Sequence, residues 1–206
     1  MKNTIIYIDG QNFLYKVSER LIAANLISDK QDIHSINIRE LLEPLFPNHN
    51  LEIRYYGVKK ISSGRSRDEG IQEKSKHFAD SLRRLKNYLK KNGVKYIGKG
   101  SLKVRINEPC KKCGFVEYHF QEKGVDVGIA IDIVRDALLR KNDEIAVLSS
   151  DTDLVPALQV VKGNGMKVSY ISFSGQATTS LVKLANKHFV LKDADICKAY
   201  IDSINE

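Results

Sequence analysis

The segment Thr4-Ile5-Ile6-Tyr7-Ile8 restricts the fold more than any other: it is short, mostly β-branched, apolar on both alternations, and it stops abruptly at Asp9-Gly10. A strand with one wet face alternates, whereas one that is apolar throughout is covered on both sides, as in the middle of a parallel sheet. Leu51 to Val58, Val94 to Ile97, Glu144 to Ser149 and Val168 to Phe173 read as further strands, with Phe189-Val190-Leu191 as a candidate edge strand. Between them the spacing turns helical: Phe13, Val17, Leu21 and Ala24; Ile36 to Leu45; Phe78, Leu82, Leu85 and Leu89; Val127, Ala130, Ile131, Val134 and Leu138; Leu154 to Val161; Gln176 to Ala185; and Ala194 to Ile204. Strands alternating with helices predict an α/β fold with a mostly parallel sheet of about five to six strands. Leu102 to Gln121 alternates as a β-hairpin with a CxxC at its tip, so the expectation is one domain, 1–206, with a hairpin insertion at 101–122.

Ligands of open parallel sheets bind beyond the carboxyl ends of the strands. Two of the clearest strands run into acids there, as Ile8-Asp9-Gly10-Gln11-Asn12 and as Leu148-Ser149-Ser150-Asp151-Thr152-Asp153, and Asp126 opens the helix before the second of them. Carboxylates gathered in a cleft repel, and a hard cation such as Mg²⁺ or Mn²⁺ relieves them. The bland alternative is that Asp126, Asp151 and Asp153 cap helices; no capping need accounts for Asp9 beside Asn12. Asn12 suits either a helix cap or a contact to phosphate or to metal-bound water. Asp132, about 240° around the helix from Asp126, is expected to face elsewhere, as a supporting or surface group.

Charge is segregated. Residues 54–112 hold 18 Lys/Arg against 5 Asp/Glu, a local +13, while the remainder holds 15 against 20. A concentrated positive field attracts a polyanion and gains from counterion release. A nucleic acid is the expected partner, with Asn12, Lys123, Arg65, Arg67 and Arg83 as candidate substrate-binding residues. No apolar run approaches the ~20 residues of a bilayer span, and Met1-Lys2-Asn3 followed by a short Ile/Tyr run lacks a signal-peptide cleavage region. With three cysteines, an odd number, the expectation is a soluble, cytoplasmic protein without a membrane partner.

Cys110 and Cys113 form half of a structural zinc site, and His119 on the returning hairpin arm is a candidate third ligand. The set is completed by Cys197, or by a homodimer in which two chains share one tetrahedral site; otherwise the cysteines are simply reduced thiols. Lys111 and Lys112 between them also suit phosphate.

Together, Tyr7-Ile8-Asp9-Gly10-Gln11-Asn12, Glu122-Lys123-Gly124-Val125-Asp126-Val127, and Ser149-Ser150-Asp151-Thr152-Asp153-Leu154 followed by Gly165-Met166-Lys167-Val168 resemble the NYN domain family, in particular its LabA-like branch within the PIN-like nuclease superfamily. The resemblance implies a three-layer α/β/α fold, a Mg²⁺ or Mn²⁺ site at Asp9, Asp126, Asp151 and Asp153, and ribonuclease activity. A glycine common before the third acidic motif is replaced here by Ser149-Ser150. The competing expectation is a non-catalytic RNA-binding or regulatory module on the same scaffold; a small-phosphate hydrolase is weaker, since a Gly-rich phosphate loop is missing.

Overall fold

In the computed structural model, which describes residues 1–29, 36–62 and 69–205 (no side chains at 60–62), the strands are β1 (Lys2–Asp9), β2 (His49–Ser62), β3 (Lys95–Ile106), β4 (Tyr118–Lys123), β5 (Glu144–Leu148), β6 (Lys167–Phe173) and β7 (Lys187–Leu191). The helices are α1 (Gly10–Ala23), α2 (Ile38–Leu42), α3 (Glu69–Lys91), α4 (Val125–Leu139), α5 (Val155–Gly163), α6 (Thr179–Leu184) and α7 (Asp193–Ile204). One sheet runs β4-β3-β2-β1-β5-β6-β7, parallel except for the β3–β4 pair.

β1 lies at the centre because both of its faces are greasy. Ile6 and Ile8 pack on one side with Phe13, Val17 and Leu21 of α1, Leu42 of α2 and Ile196 of α7. Ile5 and Tyr7 pack on the other side with Ile129 and Ile133 of α4 and Leu158 of α5. The result is the expected three-layer α/β/α sandwich.

Seven strands stand in place of five or six, because the hairpin expected at 101–122 pairs into the main sheet. The expected third strand and the first hairpin arm are one strand, β3, and β4 returns along it with Leu102 opposite Glu122. Asp9 aligns with Tyr56 and Tyr56 with Ile97, so β2 and β3 run on past the level at which β1 ends. Their overhang, with β4, makes a three-stranded ribbon rising beside the carboxyl rim. Arg65 and Arg67 lie outside the described residues. Among the described residues no helix is long and apolar enough to cross a membrane.

α4 corrects the sequence reading twice. Val127, Ile131 and Leu138, expected to pack, are exposed, and the buried face is Val125, Gly128, Ile129, Asp132, Ile133, Asp136 and Ala137. The helix is turned this way by polar partners on the sheet. Asp136 accepts from the Tyr7 hydroxyl at 2.6 Å and pairs with the Arg54 guanidinium; Asp132 accepts from the Tyr56 hydroxyl at 3.0 Å and from Lys99 Nζ at 3.0 Å. Asp132 is therefore a buried structural group. Burial works to raise the Asp136 carboxyl, but the Tyr7 hydroxyl and the Arg54 charge outweigh it and hold it below its ordinary range. Two cations of the basic segment, Arg54 and Lys99, are thus taken up by the interior.

Gly10 fixes the exit of β1. A Cβ there would sit 2.2 Å from the Tyr55 ring and 2.3 Å from the Tyr56 carbonyl oxygen. The Tyr55 hydroxyl also donates to the Gly10 carbonyl at 2.8 Å. Gly10→Ala is expected to cost about 1–3 kcal/mol, as overpacking of a filled core does, read as a lowered urea midpoint.

Candidate functional site

Because β1 and β5 are parallel neighbours with Ile8 opposite Leu148, Asp9 and the Ser149–Asp151 loop leave the sheet at the same rim. Asp9 is 8% exposed, and it does cap α1, contrary to the expectation: Oδ1 accepts from the Asn12 N–H at 3.1 Å. Its Oδ2 accepts from the Ser149 hydroxyl at 3.1 Å, and that hydroxyl accepts from the Asp151 N–H at 3.1 Å. Ser149 thus ties the two acidic loops together, a role that its position where a glycine is common did not advertise. Asp151 caps a short 3₁₀ turn by accepting from the Asp153 N–H at 2.9 Å. Asn12 is no cap: its amide donates to Ser150 Oγ at 2.7 Å, and its buried Oδ1 has no partner among the described residues.

The third acidic stretch arrives from the ribbon. Gly100 lets β3 approach the start of α4, since a Cβ there would meet the Lys123 carbonyl oxygen at 2.1 Å. The close approach brings Glu122 at the end of β4 and Asp126 in the first turn of α4 to the rim. Asp126 is exposed; the N-cap of α4 is Gly124, and the Asp126 carboxylate accepts from its own backbone N–H.

These acids feel one another. Burial raises the Asp9 carboxyl, and the charges of Asp126 and Asp151 add to it against the pull of the Asn12 and Ser149 donors. Asp126 is raised by burial and then by Asp151 and Asp153. Glu122, absent from the expected site, is pushed up to about 7, by burial first and then by Asp9 and Asp126. Its signal in the sequence was slight: an acid four residues before Asp126, whose facing depends on strand register. Among the described residues no three His, Cys, Asp or Glu groups come close enough to hold a metal ion by themselves. The donors still fit a Mg²⁺-type ion, which takes one or two carboxylates and completes its shell with water and substrate phosphate.

Glu122 gives a stability test. Its folded pKa of about 7 lies above the ordinary 4.5, so the stability it contributes is present below about pH 4.5 and is lost as the pH rises through 7. Glu122→Gln should raise the Tm at pH 8 by about 3 °C, roughly 1 kcal/mol once screening in a partly open site is allowed for, and leave it nearly unchanged at about pH 4. Equal shifts at both pH values would show that Glu122 is not the titrating group.

Beside the acids opens an aromatic cavity of about 280 Å³, whose lining includes Gly10, Tyr55, Phe78, Leu82, Tyr96 and Glu122. Phe78 and Leu82, expected in the core, are thus wall residues, which is why Phe78 remains 37% exposed. Of the expected substrate-binding residues, Lys123 is exposed at the end of β4, and Arg83 is exposed on α3 in a 3.1 Å pair with Asp80. Among the described residues no third ligand joins the cysteine pair: His119 stays on β4 opposite Arg105, and Cys197 packs against the core from α7.

The chain is 24% identical over 210 residues to the 6-hydroxy-3-succinoylpyridine 3-monooxygenase HspA of Pseudomonas putida (strain DSM 28022 / S16). That alignment covers 89% of this chain, which spans only 64% of the relative's length. A crystal structure of a protein of unknown function from Vibrio parahaemolyticus RIMD 2210633 superposes with a TM-score of 0.53 at 17% identity, covering 92% of this chain and 93% of that one; at this identity the likeness concerns the fold. Residues 3–192 match the NYN domain, nearly the whole sheet and all three acidic stretches included. With a central parallel sheet carrying those acids at its carboxyl rim, the chain belongs to the NYN domain family of the PIN-like superfamily.

Proposed function

We propose that this chain is a ribonuclease that hydrolyses RNA phosphodiester bonds with a Mg²⁺ or Mn²⁺ ion at the rim of Asp9, Asp126, Asp151 and Asp153, bound directly by one or two of these carboxylates and through water by the others. The observation that carries the reading is the gathering of Asp9, Glu122, Asp126, Asp151 and Asp153 at the carboxyl rim of a parallel sheet, where burial and the neighbouring carboxylates raise Asp9, Glu122 and Asp126. Like charges in a half-buried cleft raise one another's proton affinity, and this is tolerated where a cation or a proton-transfer task calls for them. Bound there, the ion supplies charge neutralisation and Lewis-acid polarisation of the scissile phosphate.

The chain's own groups do the rest. Ser149 and the Asn12 N–H hold the Asp9 carboxylate in one orientation. The buried Asn12 Oδ1, without a partner among the described residues, is an acceptor that an ordered water would satisfy. Glu122, with a proton affinity near neutrality, is matched to taking the proton of the attacking water. The aromatic cavity beside it takes a base of the strand, as stacking surfaces do in single-strand binders, while Lys123 and Arg83 approach phosphates.

A second reading draws on the same cavity: the name of the Pseudomonas putida relative contains a pyridine, and a small heteroaromatic ring suits an aromatic pocket. It leaves the five acids without a task, so hydrolysis is preferred. Labelled single-stranded RNA and DNA, incubated with the full chain in Mg²⁺, Mn²⁺ or chelator, test the proposal. The expected result is RNA cleavage to 5′-phosphate ends in Mn²⁺ and none with chelator. Salt-sensitive binding without turnover at any divalent concentration would establish the non-catalytic module instead.

A further inference from the structure

The cysteine pair at the hairpin tip takes no part in the rim chemistry. The tip folds Pro109 to Phe115 into a tight turn, in which the Cys110 N–H donates to the Phe115 carbonyl and the Gly114 N–H to the Cys110 carbonyl, both at 2.8 Å. The Cys110 sulfur lies within reach of the backbone N–H groups of Lys112 and Cys113 and of the Cys113 thiol. Both cysteines are free and exposed. Two sulfurs are thus offered to solvent from one turn, with backbone N–H groups aimed at one of them, an arrangement that favours thiolate.

A structural zinc takes four ligands. One chain offers two: among the described residues no third His, Cys, Asp or Glu joins them. His119 is held along β4, paired in register with Arg105, and Cys197 is packed under α7. Thiolates rather than carboxylates select zinc over the hard ions suited to the rim.

We propose that two copies of this chain meet hairpin tip to hairpin tip and close one zinc site with Cys110 and Cys113 from each. The partner is a second copy because charge and surface fit it. A tetrathiolate zinc carries two net negative charges, and each turn brings Lys111 and Lys112, both exposed, to offset them. The same end of the hairpin leaves Ile106 59%, Phe115 68% and Val116 40% exposed. This apolar skirt is covered when two tips meet, yet it is too small to hold a dimer alone, since stable interfaces bury roughly 1,200–2,000 Å². The metal supplies the remainder, as structural zinc does where no preformed site exists in one chain.

The test measures mass and metal on the full chain purified with Zn²⁺, by light scattering and elemental analysis. The expected result is a dimer holding one zinc per two chains. Chelator or Cys113→Ser should then give a folded monomer without zinc and weaken self-association at least ~100-fold. His119→Ala and Cys197→Ser should leave both mass and metal unchanged. Cobalt substitution should give the intense visible bands of a tetrathiolate. The proposal is overturned by one zinc per monomer, by no zinc uptake from excess Zn²⁺, by a Cys110–Cys113 disulfide that survives in reducing buffer, or by a dimer that persists in Cys113→Ser. None of these outcomes depends on whether the rim cuts RNA.

Discussion

Replacing Asp9 or Asp151 by Asn should lower Mn²⁺-dependent RNA cleavage by about 1,000-fold or more, the several kcal/mol that a positioned ion contributes to such a step. The folded state should not suffer. Each residue caps through one carboxylate oxygen, Asp9 to the Asn12 N–H and Asp151 to the Asp153 N–H, and Asn caps as well as Asp does. Burial and neighbouring charge already raise the Asp9 carboxyl, so its anion is a liability to the folded protein in the absence of metal. Asp9→Asn is therefore expected to hold or slightly raise the metal-free Tm while removing activity, the trade expected of a strained site. Cleavage retained in both variants would sink the ribonuclease proposal; a lowered Tm for Asp9→Asn would mean that its role is structural.

The largest loss of stability is expected at Asp136. Asp136→Ala leaves the Arg54 guanidinium and the Tyr7 hydroxyl without their shared partner inside the layer between the sheet and α4. Removing one member of a buried pair costs about 3–5 kcal/mol when the other is left uncompensated; Arg54 keeps Glu52 at 2.7 Å, so the expected cost is about 2–3 kcal/mol, from the buried groups left unsatisfied, and a Tm lowered by roughly 5–10 °C. The double variant Arg54→Met with Asp136→Leu removes both charges and should recover most of the loss. If thermal denaturation finds the double as unstable as the single, the stability resided in the Tyr7 hydrogen bond rather than in the ion pair.

That network also explains where reading the sequence failed. Val127, Ile131 and Leu138 recur at helical spacing and looked like the packed face, but α4 is apolar nearly all round, and periodicity cannot choose between two greasy faces. The choice falls to Tyr7, Tyr56, Arg54 and Lys99, which meet Asp132 and Asp136 only after β1, β2 and β3 are paired. The central strand and the acids at strand ends were legible because they depend on local pattern and on chain direction. Glu122 and Ser149 were not, because their facing follows from register and from one hydrogen bond between loops 140 residues apart. The hairpin at 101–122 was legible from its polar tip and alternating arms, whereas its continuity with the main sheet follows from register. Alternation records exposure of one face, which a ribbon rising above the rim has as surely as a detached hairpin does.

The strand order carries a consequence for how the protein comes into being. Of the seven strands β1 is synthesised first, yet one of its two neighbours, β5, follows 135 residues after Asp9. Until that segment emerges, β1 has an open edge, and Asp9 lacks both the Ser149 hydroxyl and the company of Asp151. A nascent chain therefore carries the acid without the site. In a fragment ending before Glu144 the acidic rim stays incomplete, so such a fragment should be inert in the RNA cleavage assay and prone to pair through that bare edge.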